Sequence, residues 1–133
     1  MTTNTIYITK NDYKKLVNLI DDKWPHDDND EALLLELEKA IIVEPEKIPG
    51  DVITMNSLVN FVDVESGARL TYWLVFPQDA DVRQNKISVL SPIGCALLGY
   101  RIGDIITIKT PGGERMIEVK EILHQPEAEG NYE

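Results

Sequence analysis

Several residue types are scarce in this sequence, and each scarcity argues against a class of protein. The single cysteine, Cys95, cannot form a disulfide within the chain, and no zinc-type ligand pattern surrounds His26 or His124. No apolar run approaches the roughly 20 residues that a membrane-spanning helix needs. Residues 1–7 also lack the basic start and apolar core of a signal peptide. We therefore predict a cytoplasmic protein with no membrane contact and no cofactor.

Basic residues are also few. Lysine and arginine total 13 against 23 aspartates and glutamates, and the formal net charge is -10. Direct binding of nucleic acid is disfavoured, because it depends on clustered cations that neutralise phosphates. The acid is densest between residues 21 and 31, where only Lys23 opposes it. The carboxylates in this window are Asp21, Asp22, Asp27, Asp28, Asp30 and Glu31.

The N-terminal third has the pattern of two amphipathic helices. Thr9 can cap the first, with Asp12 near the positive end of its dipole. The Asp-rich run around Pro25 ends this helix, and Asn29 or Asp30 can cap a second one that continues to about residue 41. The apolar stripes are Tyr13, Leu16, Val17 and Ile20, then Leu33, Leu34, Leu37, Ala40 and Ile41. The pattern predicts a short antiparallel hairpin with arms of about 18 Å and the acid at its tip.

The rest of the chain has the pattern of strands. The proline-rich residues 44–50 are typical of a linker, so we predict two domains, 1–47 and 48–133. Ser91 and Pro92 can begin a short helix that stops at Gly99. The fold class is thus α+β, an antiparallel sheet with one short helix after the hairpin. Strands are expected at 51–54, 58–64, 70–76, 87–90, 104–109 and 115–123, and a loosely ordered tail at 125–133.

A longer pattern in this region resembles a known family. Residues 87–94 (ISVLSPIG), 96–99 (ALLG), 103–104 (GD) and 110–114 (TPGGE) resemble the C-terminal signature of the Gre transcript cleavage factors. Residues 49–57 (PGDVITMNS) and 124–128 (HQPEA) are more similar to one branch of that superfamily, the regulators of nucleoside diphosphate kinase. The order and spacing of these segments make the resemblance far more specific than a short motif.

The resemblance implies both a fold and a partner. It implies that residues 48–133 fold like FK506-binding proteins (FKBP-like) and that residues 1–47 form a short coiled coil. In Gre factors the globular domain docks on RNA polymerase, at the secondary-channel rim of the largest subunit, and a long coiled coil carries acid to the catalytic magnesium. The arms here are much shorter. We therefore expect a monomeric, non-enzymatic regulator that competes with Gre-type factors for polymerase without efficient transcript cleavage.

The resemblance also points to candidate docking residues. Leu90, Ser91, Pro92 and Ile93, called the docking loop below, correspond to the Gre loop associated with polymerase contact. A structural interpretation is equally open, since Ser at an N-cap and Pro at the first helical position suit any short helix. Both interpretations can hold, because a capped helix start can also present a contact surface.

The acidic tip, Asp22, Asp27, Asp28 and Asp30, is the second candidate site. If Asp27 or Asp28 reached the catalytic magnesium of the polymerase, the protein would be a true cleavage-stimulating factor, which is the alternative function. The sequence has no calcium-loop pattern at this point, so a solvated charged turn is the simpler interpretation. Trp24, beside Pro25, either packs back on the hairpin, which we favour, or meets a partner.

The remaining alternative belongs to a different class of function, because it is an enzyme rather than a polymerase-binding regulator. Phe61, Tyr72, Trp73 and Phe76 could line the aromatic pocket of an FKBP-type prolyl isomerase, although alternation along strands explains them as sheet-face packing. Cys95 lies in an apolar segment without a nearby basic activator, which favours packing over nucleophilic catalysis. The regulator branch also suggests raised levels of nucleoside diphosphate kinase, by either a direct or an indirect route.

Overall fold

The computed structural model describes residues 5–110 and 112–132. Within them, two helices precede a five-stranded sheet, and a third, short helix packs against that sheet. The elements are β1 (Tyr7–Thr9), α1 (Lys10–Asp21), α2 (Asp28–Lys39), β2 (Ile41–Val43), β3 (Leu58–Asp63), β4 (Arg69–Val75), β5 (Lys86–Ser88), α3 (Pro92–Leu97), β6 (Ile105–Thr110) and β7 (Gly113–His124). Four short 3₁₀ helices lie at Pro45–Lys47, Pro77–Asp79, Val82–Gln84 and Pro126–Glu129.

The helical hairpin is confirmed, and an additional strand pair closes its base. The Thr9 side chain caps α1 by accepting a hydrogen bond from the Asp12 N–H (3.1 Å). β1 leads directly into α1, α2 leads directly into β2, and the two strands pair in parallel, with Tyr7 opposite Ile41. The helices must therefore run out and back. Strands of three residues are too short to show a periodic pattern, which is why this pairing was not predicted.

The second helix begins earlier and ends earlier than predicted. Asp27 is the N-cap, not Asn29 or Asp30, because Asp27 and Asp30 form a reciprocal capping box. The Asp30 N–H donates to Asp27 Oδ1 (2.8 Å), and the Asp27 N–H donates to Asp30 Oδ2 (2.9 Å). At the other end the helix stops at Lys39, since the following residues are extended and pair with β1.

The sheet has the order β5-β4-β3-β7-β6 and is mixed. β3 pairs antiparallel with both β4 and β7, and β6 pairs antiparallel with β7. β5 pairs in parallel with β4, so the prediction of a wholly antiparallel sheet is wrong at this edge. The reason is the connection between these strands, whose 3₁₀ helices Pro77–Asp79 and Val82–Gln84 carry the chain back before β5 begins.

The strand predicted at 51–54 is also wrong. This segment forms a single bridge, between Val52 and Arg101, rather than a ladder. Its backbone instead bonds to the chain after α3: the Ile53 N–H donates to the Tyr100 carbonyl (2.8 Å), and the Ile53 carbonyl accepts from the Gly99 N–H (2.9 Å). Residues 52–55 are buried, so their apolar character reflects burial without a strand partner.

The C-terminal tail is structured at residues 125–130, against the prediction of a loose tail at 125–133, and Glu133 lies outside the described residues. Pro126–Glu129 is a 3₁₀ helix, and Gln125 and Glu127 are buried. Gln125 Nε2 donates to the carbonyls of Pro49 (2.8 Å) and Val52 (2.7 Å). These bonds are made by side chains to distant backbone, which a search for periodicity does not detect.

One hydrophobic core joins the hairpin to the sheet. Its buried members come from both parts of the chain. They include Leu16, Ile20, Leu33 and Leu37 of the hairpin and Phe61, Leu74, Val89, Leu97 and Val119 of the sheet region. The helices therefore lie against the globular part, and the division at residues 47 and 48 stays a prediction.

Candidate functional site

The docking loop is held by serine side chains at the start of α3. Ser91 is the N-cap, and its Oγ accepts a hydrogen bond from the Gly94 N–H (3.0 Å) and donates one to the Ser88 carbonyl (2.7 Å). Ser88 Oγ accepts from the Leu90 N–H (3.0 Å). Both hydroxyl groups are thus used to fix the backbone. The structural interpretation of Ser91 is confirmed, and its role in docking stays a prediction.

Gly94 allows this loop to close tightly. A Cβ atom placed there would lie 2.0 Å from the Ser88 carbonyl oxygen and 3.0 Å from Ser91 Oγ. No side chain fits at such a distance, so glycine is required for the close approach of the loop to α3.

The docking loop lies beside an apolar cleft of about 260 Å³. Pro92 is exposed, while Leu90 and Ile93 are half-buried against the core. Ile93 also lines the cleft, together with Phe61, Asp63, Leu70, Ile108, Gly112, Arg115 and Ile117. Two of these are charged: Arg115 Nε donates to Asp63 Oδ2 (2.9 Å), and this ion pair lowers the pKa of Asp63. The exposed Pro92 thus lies next to an apolar cleft that contains one ion pair, Asp63 with Arg115.

The four acidic tip residues have different environments. Asp30 is fully buried and pairs with Lys23 Nζ (2.7 Å). Asp27 is exposed, but it caps α2 and pairs with the same ammonium (3.3 Å). Its pKa is lowered, first by the Asp30 N–H and then by Lys23. Asp22 and Asp28 are exposed, and the described part of the chain offers their side chains no hydrogen bond or ion pair.

Trp24 is held in solvent, so the expectation that it packs on the hairpin is wrong. Its exposed fraction is 82%. The indole contacts the His26 ring in a T-shaped arrangement, with 5.4 Å between the ring centroids. A nitrogen of the His26 ring in turn bonds the Ile20 carbonyl (2.8 Å). This arrangement leaves the indole on the outside of a fixed turn.

The helix that follows the acidic tip, α2, packs against α3. Burial raises the pKa of the Cys95 thiol to about 11, and the carboxylates of Glu36, Asp27 and Asp30 raise it further. Asp30 and Glu36 lie in α2, and Asp27 is its N-cap. The thiol donates to the Pro92 carbonyl (3.4 Å), and a thiol with so high a pKa is a poor nucleophile.

The four aromatic residues considered for an isomerase do not share one pocket. Phe61 is buried and stacks on Tyr72 at 5.9 Å. Trp73 contacts the His124 ring (5.5 Å) and lines a different cleft. Phe76 lines a third depression. Successive strand residues point to opposite faces, which separates Tyr72 from Trp73 as alternation predicts.

A buried polar junction that sequence reasoning missed lies between α1, residues 54–57 and the tail. Asp12 Oδ2 accepts from the Met55 N–H (3.1 Å), and Glu127 Oε1 accepts from Thr54 Oγ1 (2.7 Å). Thr54 Oγ1 also lies 3.0 Å from Ser57 Oγ. Burial raises the pKa of Asp12 to about 6, and the Glu127 charge adds to this effect. The only sequence signal for the junction was the N-terminal position of Asp12 in its helix.

A cleft of about 620 Å³ opens beside this junction. It carries charges of both signs, including Lys15, Lys86, Asp79 and Glu129 around Trp73. Within residues 5–110 and 112–132, no three His, Cys, Asp or Glu side chains are placed to hold a metal ion. Among the helices of those residues, none is both long and apolar enough to span a membrane.

Comparison with known proteins gives concordant matches. The family described as "Transcription elongation factor, GreA/GreB, C-term" matches residues 48–124. The regulator of nucleoside diphosphate kinase of Escherichia coli (strain K12) is 43% identical over 103 residues, 77% of this chain and 76% of that protein. GreA of Rhodospirillum rubrum is 38% identical over 67% of this chain and 59% of its own length. A solved GreA/GreB elongation factor from Nitrosomonas europaea is 36% identical, with a TM-score of 0.78, and covers 92% of this chain and 100% of that one.

Proposed function

The chain belongs to the GreA/GreB transcription elongation factor family, and from this membership we propose that it regulates transcription by binding RNA polymerase. The finer proposal is that it docks at the rim of the secondary channel and competes there with Gre-type factors. It acts in the cytoplasm, as a monomer, by occupying the site rather than by catalysis.

The observation that carries the proposal is the family match at residues 48–124, which includes the docking loop and α3. The structure supports a contact role for this region, because Pro92 is exposed next to an apolar cleft. Interfaces commonly combine an apolar centre with a polar rim, and the Asp63–Arg115 pair supplies polar groups to the same cleft. The finer fold assignment, an FKBP-like domain at 48–133 with a coiled coil at 1–47, is part of this proposal.

Three observations favour binding without efficient transcript cleavage. Each helix of the hairpin has 12 residues, so each arm is only about 18 Å long. α2 also packs against α3 and the hairpin shares the core of the sheet, so the hairpin lies against the globular part instead of extending freely away from it. In addition, Asp27 and Asp30 are already bonded within the hairpin. The cleavage-stimulating alternative needs a free carboxylate delivered deep into the channel.

The isomerase alternative is disfavoured by the dispersion of its aromatic residues over three depressions. An active site of that kind needs them around one bound peptide. A peptide isomerisation assay distinguishes the two classes of function. An effect on nucleoside diphosphate kinase levels would follow indirectly from altered transcription.

The decisive experiment is a binding and competition assay with purified core RNA polymerase. We expect saturable binding that a Gre factor displaces, and no additional cleavage product from backtracked complexes. Pro92→Ala is expected to weaken binding about fivefold or more, the loss typical of a contributing contact residue. Pro77→Ala is the matched control, since Pro77 also occupies the first position of a short helix. Absence of binding by the wild-type protein at micromolar concentration would overturn the proposal.

A further inference from the structure

Trp24 is a large apolar side chain held in water by a fixed loop. It belongs to the tip loop (residues 22–27), which joins α1 to α2. A Trp side chain with an exposed fraction of 82% is costly in solvent, because its apolar surface is wetted without compensation. Nothing in the core of the described chain shields the ring. An exposed indole offers a partner a large apolar face together with an N–H donor, which is why tryptophan is enriched at interfaces.

The tip loop is fixed by bonds at both of its ends. Lys23 bridges the carboxylates of Asp27 (3.3 Å) and Asp30 (2.7 Å), so the start of the loop is tied to α2. The His26 ring lies between the Ile20 carbonyl (2.8 Å) and the Glu31 carboxylate (3.4 Å). The indole is therefore presented in a defined position, which lowers the entropy lost when it binds a partner.

The tip loop leads into a helix that packs against α3. α2 and α3 are in contact, and Asp27, the last residue of the tip loop, is the N-cap of α2. The docking loop begins α3. Trp24 and Pro92, both exposed, thus flank neighbouring elements and can be covered by a single partner.

The charges around Trp24 define the chemistry of that partner. Asp22 and Asp28 are exposed beside the loop, while the nearby ammonium of Lys23 is already paired. An indole face attracts lysine and arginine cations, and adjacent carboxylates complete the ion pairs. With a net charge of -10, the whole chain repels acidic partners. A surface bearing lysine or arginine is the occupant that fits.

We propose that the tip loop and α3 form one composite docking surface, on which the Trp24 indole is the anchor that contacts a basic protein surface of RNA polymerase. The inference rests on the proposed function, since the partner is the same. It assigns the hairpin tip to partner binding rather than to delivery of carboxylates.

The test measures the dissociation constant for core RNA polymerase by fluorescence anisotropy of N-terminally labelled protein. Trp24→Ala is expected to raise it about tenfold or more, as for other interface tryptophans. Trp24→Phe should restore most of the affinity, because an aromatic face remains. Asp28→Lys should also weaken binding, because the new lysine would face the lysine and arginine side chains of the proposed basic surface. The control is Leu123→Ala, which truncates a half-exposed side chain on β7.

The outcomes separate this inference from the proposed function. If the wild-type protein binds and Trp24→Ala binds within twofold of it, the composite surface is wrong and docking by the family domain stands. Tighter binding of Asp28→Lys would show that the contacted surface is not basic. A wild-type dimer that Trp24→Ala dissociates in analytical ultracentrifugation would assign the ring to a second copy of this chain. Failure of the wild-type protein to bind polymerase would remove both proposals.

Discussion

Gly94 shows how a single residue fixes the docking loop. A Cβ atom at this position would overlap the Ser88 carbonyl oxygen at 2.0 Å, and a backbone atom cannot move away without disturbing β5. Gly94→Ala is therefore expected to lower the free energy of unfolding by about 2–3 kcal/mol. Gly50→Ala is the matched control, because no atom lies within 4 Å of its added methyl group. Urea denaturation measures both, and equal losses would contradict the close approach.

Asp12 is expected to make stability depend on pH. Its pKa is 3.8 without the fold and about 6 within it, because burial disfavours the charged form. The folded state therefore holds the proton more tightly than the unfolded state. This contribution to stability is complete below pH 3.8 and is lost as the pH rises through about 6, a change of about 3 kcal/mol.

The variant Asp12→Asn should lose this pH dependence while still accepting the Met55 N–H bond. Between pH 4 and 7, the unfolding free energy of the wild type should fall by about 2–3 kcal/mol more than that of the variant. Chemical denaturation at several pH values measures the difference. Asp28→Asn removes an exposed carboxylate and should behave like the wild type. Parallel curves for the wild type and Asp12→Asn would show that Asp12 is not the titrating group.

At the scale of elements, the start of α2 depends on a reciprocal pair of aspartates. Asp27→Ala removes the cap of the Asp30 N–H and should cost about 1 kcal/mol. Asp28→Ala, one residue later, removes an exposed carboxylate that makes no cap and should cost less than about 0.5 kcal/mol. Thermal unfolding followed by circular dichroism compares the two variants. A smaller loss for Asp27→Ala than for Asp28→Ala would contradict the assigned cap.

The same helix shows why element boundaries were only partly predictable. Asp27, Asp28, Asn29 and Asp30 are all good capping residues, and the sequence does not rank them. The choice falls on Asp27 because Asp30, three residues later, can bond back to it. At residues 51–54 the failure was different, since apolar character indicated burial but could not indicate whether a neighbouring strand existed.

At the scale of the whole molecule, the shared core predicts that hairpin and sheet unfold together. Leu16 of α1 is fully buried in the same cluster as Phe61 and Val119 of the sheet. Leu16→Ala should therefore destabilise the entire chain by about 2–5 kcal/mol. Leu35→Ala on α2 is the control, because that leucine is 55% exposed.

The measurement uses two probes on each protein. Far-ultraviolet circular dichroism follows the helices and strands, and tryptophan fluorescence follows Trp24 in the hairpin and Trp73 in the sheet. A single core predicts coincident transitions that shift together in Leu16→Ala. Two separated transitions, with only the helical one moved, would show that the hairpin unfolds independently.

The features that depend on neighbours along the chain were predictable from the order of residues. The Thr9 cap, the apolar stripe of α1, the Ser91–Pro92 helix start and the alternation of β3 all follow from local hydrogen bonding and side-chain periodicity. The family signature at residues 87–114 belongs here too, since it is a pattern of residues and spacing. These features held because neighbours in sequence remain neighbours in the fold.

Tertiary structure alone decided the features that join distant residues. The parallel pairing of β1 with β2, the Asp12 and Glu127 junction and the anchoring of Gln125 each connect segments separated by more than 30 positions. Trp24 belongs to the same group, because only the packed hairpin shows that no core surface covers it. Helix and strand propensities depend on residues that are close in sequence, so they do not indicate contacts between distant segments. They form because burying the shared core brings these groups together and leaves the indole outside.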